Sequence, residues 1–194
     1  MLQHKVYIQS VNNLSDARYC AGMGVQFLGF DCNPINHRYV GIDLVNAIKG
    51  WISGIEVIAE CVGMNNEDIN NVINALNPEY LLVESGNDFA FKTPLMYLFD
   101  LDSSTKKYPP FGSKVVLEGS SNSLNNHHSL IKDMRDEYGY QLIFATGVSK
   151  DSIPELFHTY QAFAIALKGG NESAPGLKSF DELADILEFI EVNN

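Results

Sequence analysis

The sequence predicts an α/β fold, a small closed (βα)8 barrel. Three observations lead there. Short apolar or β-branched runs alternate with helical patterns along the whole chain, which is the signature of strands and helices in turn. There are eight such runs, the number that closes this kind of barrel. The runs are apolar almost throughout, as suits strands buried on both faces of a parallel sheet. A doubly wound open sheet is the rival reading of the same pattern. At 194 residues the chain is short, because such barrels typically take about 250. Connections must therefore be tight.

The strands are placed at Lys5–Gln9, Gln26–Phe30, Ile55–Val62, Tyr80–Glu84, Leu95–Leu101, Lys114–Glu118, Gln141–Ala145 and Phe163–Leu167. Leu14–Met23 reads as a helix after Asn12 and Asn13, both able to cap it, and stops at Gly24. Asp43–Trp51 and Asn66–Leu76 carry apolar residues at helical spacing, as do Asn122–Tyr138, Ser152–Tyr160 and Phe180–Val192. The gaps after strands four and five leave no room for a full helix. Ser103, Ser104, Pro109, Pro110 and Gly112 mark the second gap as loop. No linker or repeat divides the chain, so residues 1–194 are expected to form one domain.

The formal net charge is -11, which argues against a protein that tracks nucleic-acid phosphates. A small phosphorylated ligand stays open, since one pocket can differ from the whole surface. No apolar run reaches the roughly 18 residues of a membrane span, and the N-terminus lacks a signal-peptide layout. Cys20, Cys32 and Cys61 show no CxxC spacing, which fits reduced thiols in the cytoplasm. No histidine spacing points to a metal, and no cofactor is implied. His127 and His128 are neighbours on a helix start and point in different directions.

Three stretches resemble the phosphoribosylanthranilate isomerase family, the tryptophan-pathway (βα)8 TIM barrel that turns an aminoaldose phosphate into a ketose by an Amadori rearrangement. VYIQSVNNLSDARYCAGMGVQFLGF (Val6–Phe30) has the spacing of the family's opening segment around VKICGIT. NHRYV (Asn36–Val40) is similar to its SPRYV. The third is the C-terminal third, where FATGVSKDSI (Phe144–Ile153) and GGNESAPGLKS (Gly169–Ser179) are similar to AGGLNPENV and SGVESAPGVKD. The resemblance spans nearly the whole chain in strand order, and ESAPGLK is its most specific piece.

The resemblance implies a site at the C-terminal ends of the strands. It also assigns positions. The family's general base, the cysteine of KICG, falls at Gln9, and an amide cannot take up a proton at neutral pH. The family's lysine falls at Tyr7 and its following glycine at Ser10. The general-acid aspartate of strand six falls at Glu118, one methylene longer. Arg38 matches the arginine that meets the substrate's anthranilate carboxylate, and Glu84 stands in the altered strand-four segment. These departures imply that the family reaction is lost or altered. Thr146, Gly147, Gly169 and Gly170 fall in the phosphate-holding loops after strands seven and eight, and Lys168 adds a cation beside them. The expected ligand is thus a small phosphorylated sugar, on a monomer or homodimer without nucleic-acid or membrane partners. A non-catalytic paralogue that binds a phospho-ligand or a partner is the alternative.

Asp31, Glu60, Glu84, Asp100 or Asp102, and Glu118 gather near strand ends. They would form an acid–base pair or cation site if they share the barrel mouth, and merely a solvated rim if they do not. Cys61 is read as a buried structural thiol.

Overall fold

The computed structural model describes residues 1–86, 90–120, 122–169, 172–174, 177–178 and 181–192. Eight parallel strands form a closed barrel in sequence order: β1 (Val6–Gln9), β2 (Phe27–Asp31), β3 (Glu56–Glu60), β4 (Tyr80–Glu84), β5 (Leu95–Asp100), β6 (Lys114–Glu118), β7 (Gln141–Phe144) and β8 (Ala164–Lys168). The pairing of β1 with β8, from Val6 opposite Ile165 to Gln9 opposite Lys168, closes the circle. With every strand then paired on both sides, no edge is left, which excludes the open doubly wound sheet.

Among the described residues seven helices pack outside: α1 (Leu14–Met23), α2 (Ile42–Lys49), α3 (Asn66–Leu76), α4 (Ser123–Asn126), α5 (His128–Asp136), α6 (Ile153–His158) and α7 (Asp181–Phe189). Of the two candidate caps of α1, Asn13 does the capping, its side chain accepting from the Asp16 N–H at 2.9 Å. Gly24 ends the helix with φ 79, a conformation that favours glycine. Among the described residues no helix follows β4 or β5 before the next strand, as expected. The helix expected over Asn122–Tyr138 is two pieces, because His127 at the junction has φ -118 and ψ 21, outside the helical region. A small antiparallel hairpin, β9 (Glu172–Ala174) with β10 (Leu177–Lys178), was not expected; strands of three and two residues are too short to show a period.

Strand alternation sorts the core into two shells. Tyr7, Phe27, Ile58, Leu82, Met96 and Val116 point inward and fill the barrel. Ile8, Leu28, Phe30, Val57 and Ala59 point outward and meet helix residues such as Ile69 and Leu76. Both faces are therefore apolar, the reason the strands read as continuous apolar runs. The N-terminal end of the barrel is plugged: the Lys5 and Lys114 ammonium groups lie 4.3 and 5.5 Å from the Phe163 ring centre. The polar inward residues are left to the opposite end. No helix among the described residues is long and apolar enough to cross a membrane.

Candidate active site

The period of two that puts Tyr7 inside the barrel puts Gln9 inside too, two residues nearer the C-terminal mouth. The same parity brings Asp31, Glu60, Glu118 and Lys168 to that end from β2, β3, β6 and β8. A central cavity of about 130 Å³ is lined by Gln9, Ser10, Asp31, Glu60, Glu118 and Lys168, among others. The structure thus settles that Asp31 and Glu60 line the mouth. Cys61, one residue past β3, has the opposite parity and is buried in the outer core. There it meets Cys32, whose thiol is pushed up by the bond to Cys61 and by burial.

Gln9 and Glu118 face each other across the central cavity. The Gln9 Nε2 donates to Glu118 Oε1 over a long 3.5 Å. Gln9 is only 5% exposed, and its Oε1 finds no hydrogen-bond partner among the described residues.

Tyr7 lies deeper, wholly buried beneath the cavity, and is bound to another group. Its phenol donates to Glu60 Oε1 at 2.5 Å. The Ser10 N–H donates to the same oxygen at 3.0 Å, and the Ser10 hydroxyl to Glu60 Oε2 at 2.9 Å. Burial raises the Glu60 carboxyl above its ordinary 4.5 against the opposite pull of Tyr7 and Ser10. Burial and the neighbouring Glu60 push the Tyr7 phenol well above 10, so it stays a donor. Gly29 on β2 makes this pair possible: a Cβ there would collide with Glu60 Oε1 and lie 2.6 Å from the Tyr7 oxygen. The sequence placed Glu60 near the mouth without finding its partners. The signal was there in the parity of β3, where Ile58 and Glu60 share a face.

Two larger cavities adjoin the centre. One, of about 330 Å³, lies between the ends of β7 and β8 and is lined by Thr146, Gly147, Lys168 and Leu183 among others. Lys168 belongs to both it and the central cavity. Gly147 has φ 66, and a Cβ on it would strike Leu124, so glycine is required on both counts. The N–H of Gly169, expected to face a phosphate, is already used: it donates to the Gln9 carbonyl at 2.9 Å, extending the β1–β8 pairing. Its carbonyl accepts from Arg38 Nη1 at 3.3 Å. Arg38 therefore ties the loop after β2 to that after β8. Gly170 lies outside the described residues.

The other cavity, of about 350 Å³, lies over β4, β5 and β6, with Glu84, Asp100, Lys107 and Glu118 in its wall. Glu84 sits there and not in the central cavity. Beside it Asp102 ties two loops together, accepting from the Ser120 N–H at 2.6 Å and the Ser123 hydroxyl at 2.8 Å. These bonds hold its carboxyl down at about 2. Among the described residues, no three histidine, cysteine or acidic side chains are grouped to hold a metal ion.

A closed parallel barrel with its carboxylates, amide and lysine gathered at the strands' C-terminal ends defines the class: a (βα)8 barrel whose polar site lies at that mouth. No family model matches the chain. A curated N-(5'-phosphoribosyl)anthranilate isomerase of Bordetella avium is 32% identical over 211 residues, covering 98% of this chain and 96% of its own. The crystal structure of phosphoribosyl anthranilate isomerase from Thermotoga maritima superposes with a TM-score of 0.77 at 16% identity, covering 97% of this chain and 98% of that one. A phosphoribosyl anthranilate isomerase solved in complex with reduced 1-(o-carboxyphenylamino)-1-deoxyribulose 5-phosphate gives 0.75 at 17% identity, with 97% and 98% covered. The chain belongs to the N-(5'-phosphoribosyl)anthranilate isomerase family.

Proposed function

We propose that this barrel binds a phosphorylated sugar and has lost or altered the phosphoribosylanthranilate reaction of its relatives. It remains an aldose–ketose isomerase by type, with Glu118 as acid and a base other than Gln9. The observation that carries this reading is the facing pair of Gln9 and Glu118 across the central cavity. An amide there can hold or orient a hydroxyl, and it cannot accept a proton. The acid position keeps a carboxyl, half-buried and pointing into the cavity.

The phosphate end is the cavity of Thr146, Gly147 and Lys168. Lys168 supplies a charge-assisted contact, and Gly147 lets the backbone approach an oxyanion closely. Gly169 contributes by lacking a side chain, since its N–H is engaged by Gln9. Arg38, drawn to the Gly169 carbonyl, braces this loop. The relatives' substrate is a phosphoribosyl compound by name, and the retained glycines and the added lysine support a phosphosugar here.

The test is a thermal-shift series with inorganic phosphate, ribose 5-phosphate and chloride at matched ionic strength. Phosphate and ribose 5-phosphate raise the midpoint beyond chloride, equivalent to about 2.7 kcal/mol at a hundred times the dissociation constant. Lys168→Ala weakens that shift. Equal shifts with phosphate and chloride overturn the phosphate site and favour a barrel that binds a partner.

A further inference from the structure

We infer that Glu60 is the group that takes the proton from carbon in this barrel, working across the central cavity from Glu118. This rests on the phosphosugar reading above and supplies the base that reading lacks.

The first support is orientation. Three donors hold the carboxylate: the Tyr7 phenol and the Ser10 N–H on Oε1, and the Ser10 hydroxyl on Oε2. A carboxylate has about four acceptor positions. The open one is on Oε2, and Glu60 lines the same cavity as Glu118. The second is backbone strain. Ser10 has φ 52, a conformation that non-glycine residues seldom adopt. In it, one residue presents both its N–H and its hydroxyl to Glu60. Strain of this kind, held in place by its surroundings, gathers at functional sites.

The third is independent of the carboxylates. The Gln9 Oε1 is buried in the wall of this cavity without a partner among the described residues. Buried acceptors are nearly always satisfied. A hydroxyl of a bound polyol supplies the missing donor and would sit between Glu60 and Glu118. The other ionisable groups around Glu60 are Tyr7 from β1, Asp31 from β2, Glu118 from β6 and Lys168 from β8.

The step balances without a co-reactant. Glu60 Oε2 takes the proton from the carbon next to the aldehyde. The C–H pair becomes the C=C bond of an enediol, and the carbonyl oxygen takes a proton from the Glu118 carboxylic acid. In the second half Glu60 returns its proton to the former aldehyde carbon. The neighbouring hydroxyl becomes the new carbonyl as its proton passes to Glu118. A two-carboxylate exchange of this sort needs no thiol.

The experiment follows ribose 5-phosphate in D2O by NMR, reading deuterium entry at C2 and ribulose 5-phosphate formation, beside the thermal shift given by the same sugar. Wild type exchanges C2. Glu60→Gln keeps the shape and the sugar's thermal shift and loses at least about a hundredfold in exchange, the lower range for a positioned acid or base. Tyr7→Phe keeps the carboxylate and moves the exchange pH profile upward, because Glu60 loses a bond that favours its charge; a purely structural role leaves that profile in place. The inference is overturned if the sugar binds and wild type incorporates no deuterium, or if Glu60→Gln exchanges within about threefold of wild type. If ribose 5-phosphate gives no shift beyond chloride, the phosphosugar reading itself fails, a different result from either of these.

Discussion

Gly29 shows how one residue type licenses a site. Tyr7 and Glu60 are 53 residues apart in sequence and meet only because β2 carries no side chain between them. Gly29→Ala forces that pair apart and lowers stability by about 1–3 kcal/mol, the range for overpacking a well-filled core. In a Glu60→Ala background the same change costs less, since one of the two groups it strikes is gone. Denaturant midpoints of the two single variants and the double variant measure the coupling. Full additivity would show that the clash is relieved elsewhere. This pairing was not legible in the sequence. Glu60 could be placed near the mouth by its position at a strand end, but the contact depends on a glycine on the neighbouring strand β2. Gly169 is similar. Its glycine character was legible, and the use of its N–H by Gln9 follows only from the register in which β8 closes on β1.

Among the elements, β4 and β6 run as read from their apolar runs, Tyr80–Glu84 and Lys114–Glu118. Helices α1 and α3 also keep their expected bounds, because Asn13 and Asn65 cap them by accepting from residues three further on. What failed was the long helix after β6. Its apolar spacing continues across His127, but the backbone breaks there. The connection after β6 is instead held by Asp102, which reaches from the β5 loop to Ser120 and Ser123. Its effect on stability has a definite sign with pH. The folded carboxyl titrates at about 2, below the ordinary 3.8. The folded state therefore binds fewer protons than the unfolded state between those values, so stability is present above 3.8 and lost as the pH falls towards 2. The melting difference between wild type and Asp102→Asn is steady above about pH 5 and shrinks on acidification through this window. A difference that persists unchanged at pH 2 would mean that the asparagine disturbs the loops sterically.

At the level of the molecule, barrel closure was legible from strand number and from doubly buried strands, and closure alone brings residues from β1, β3, β6 and β8 to one mouth. The family assignment rests on a relative 32% identical over 98% of the chain. We propose that the mouth keeps a phosphate-holding end and carries an amide, Gln9, in place of a proton acceptor on β1. Arg38 is engaged by the Gly169 carbonyl, and the Glu60 carboxylate approaches from β3 and not from β1. The most direct test is the isomerisation of phosphoribosylanthranilate by the purified protein, followed beside the Bordetella avium relative at equal enzyme concentration. Turnover at least about a hundredfold below the relative's is expected, the scale of a missing positioned base. Turnover equal to the relative's would contradict the account, because it would require efficient family chemistry with an amide where the base should be.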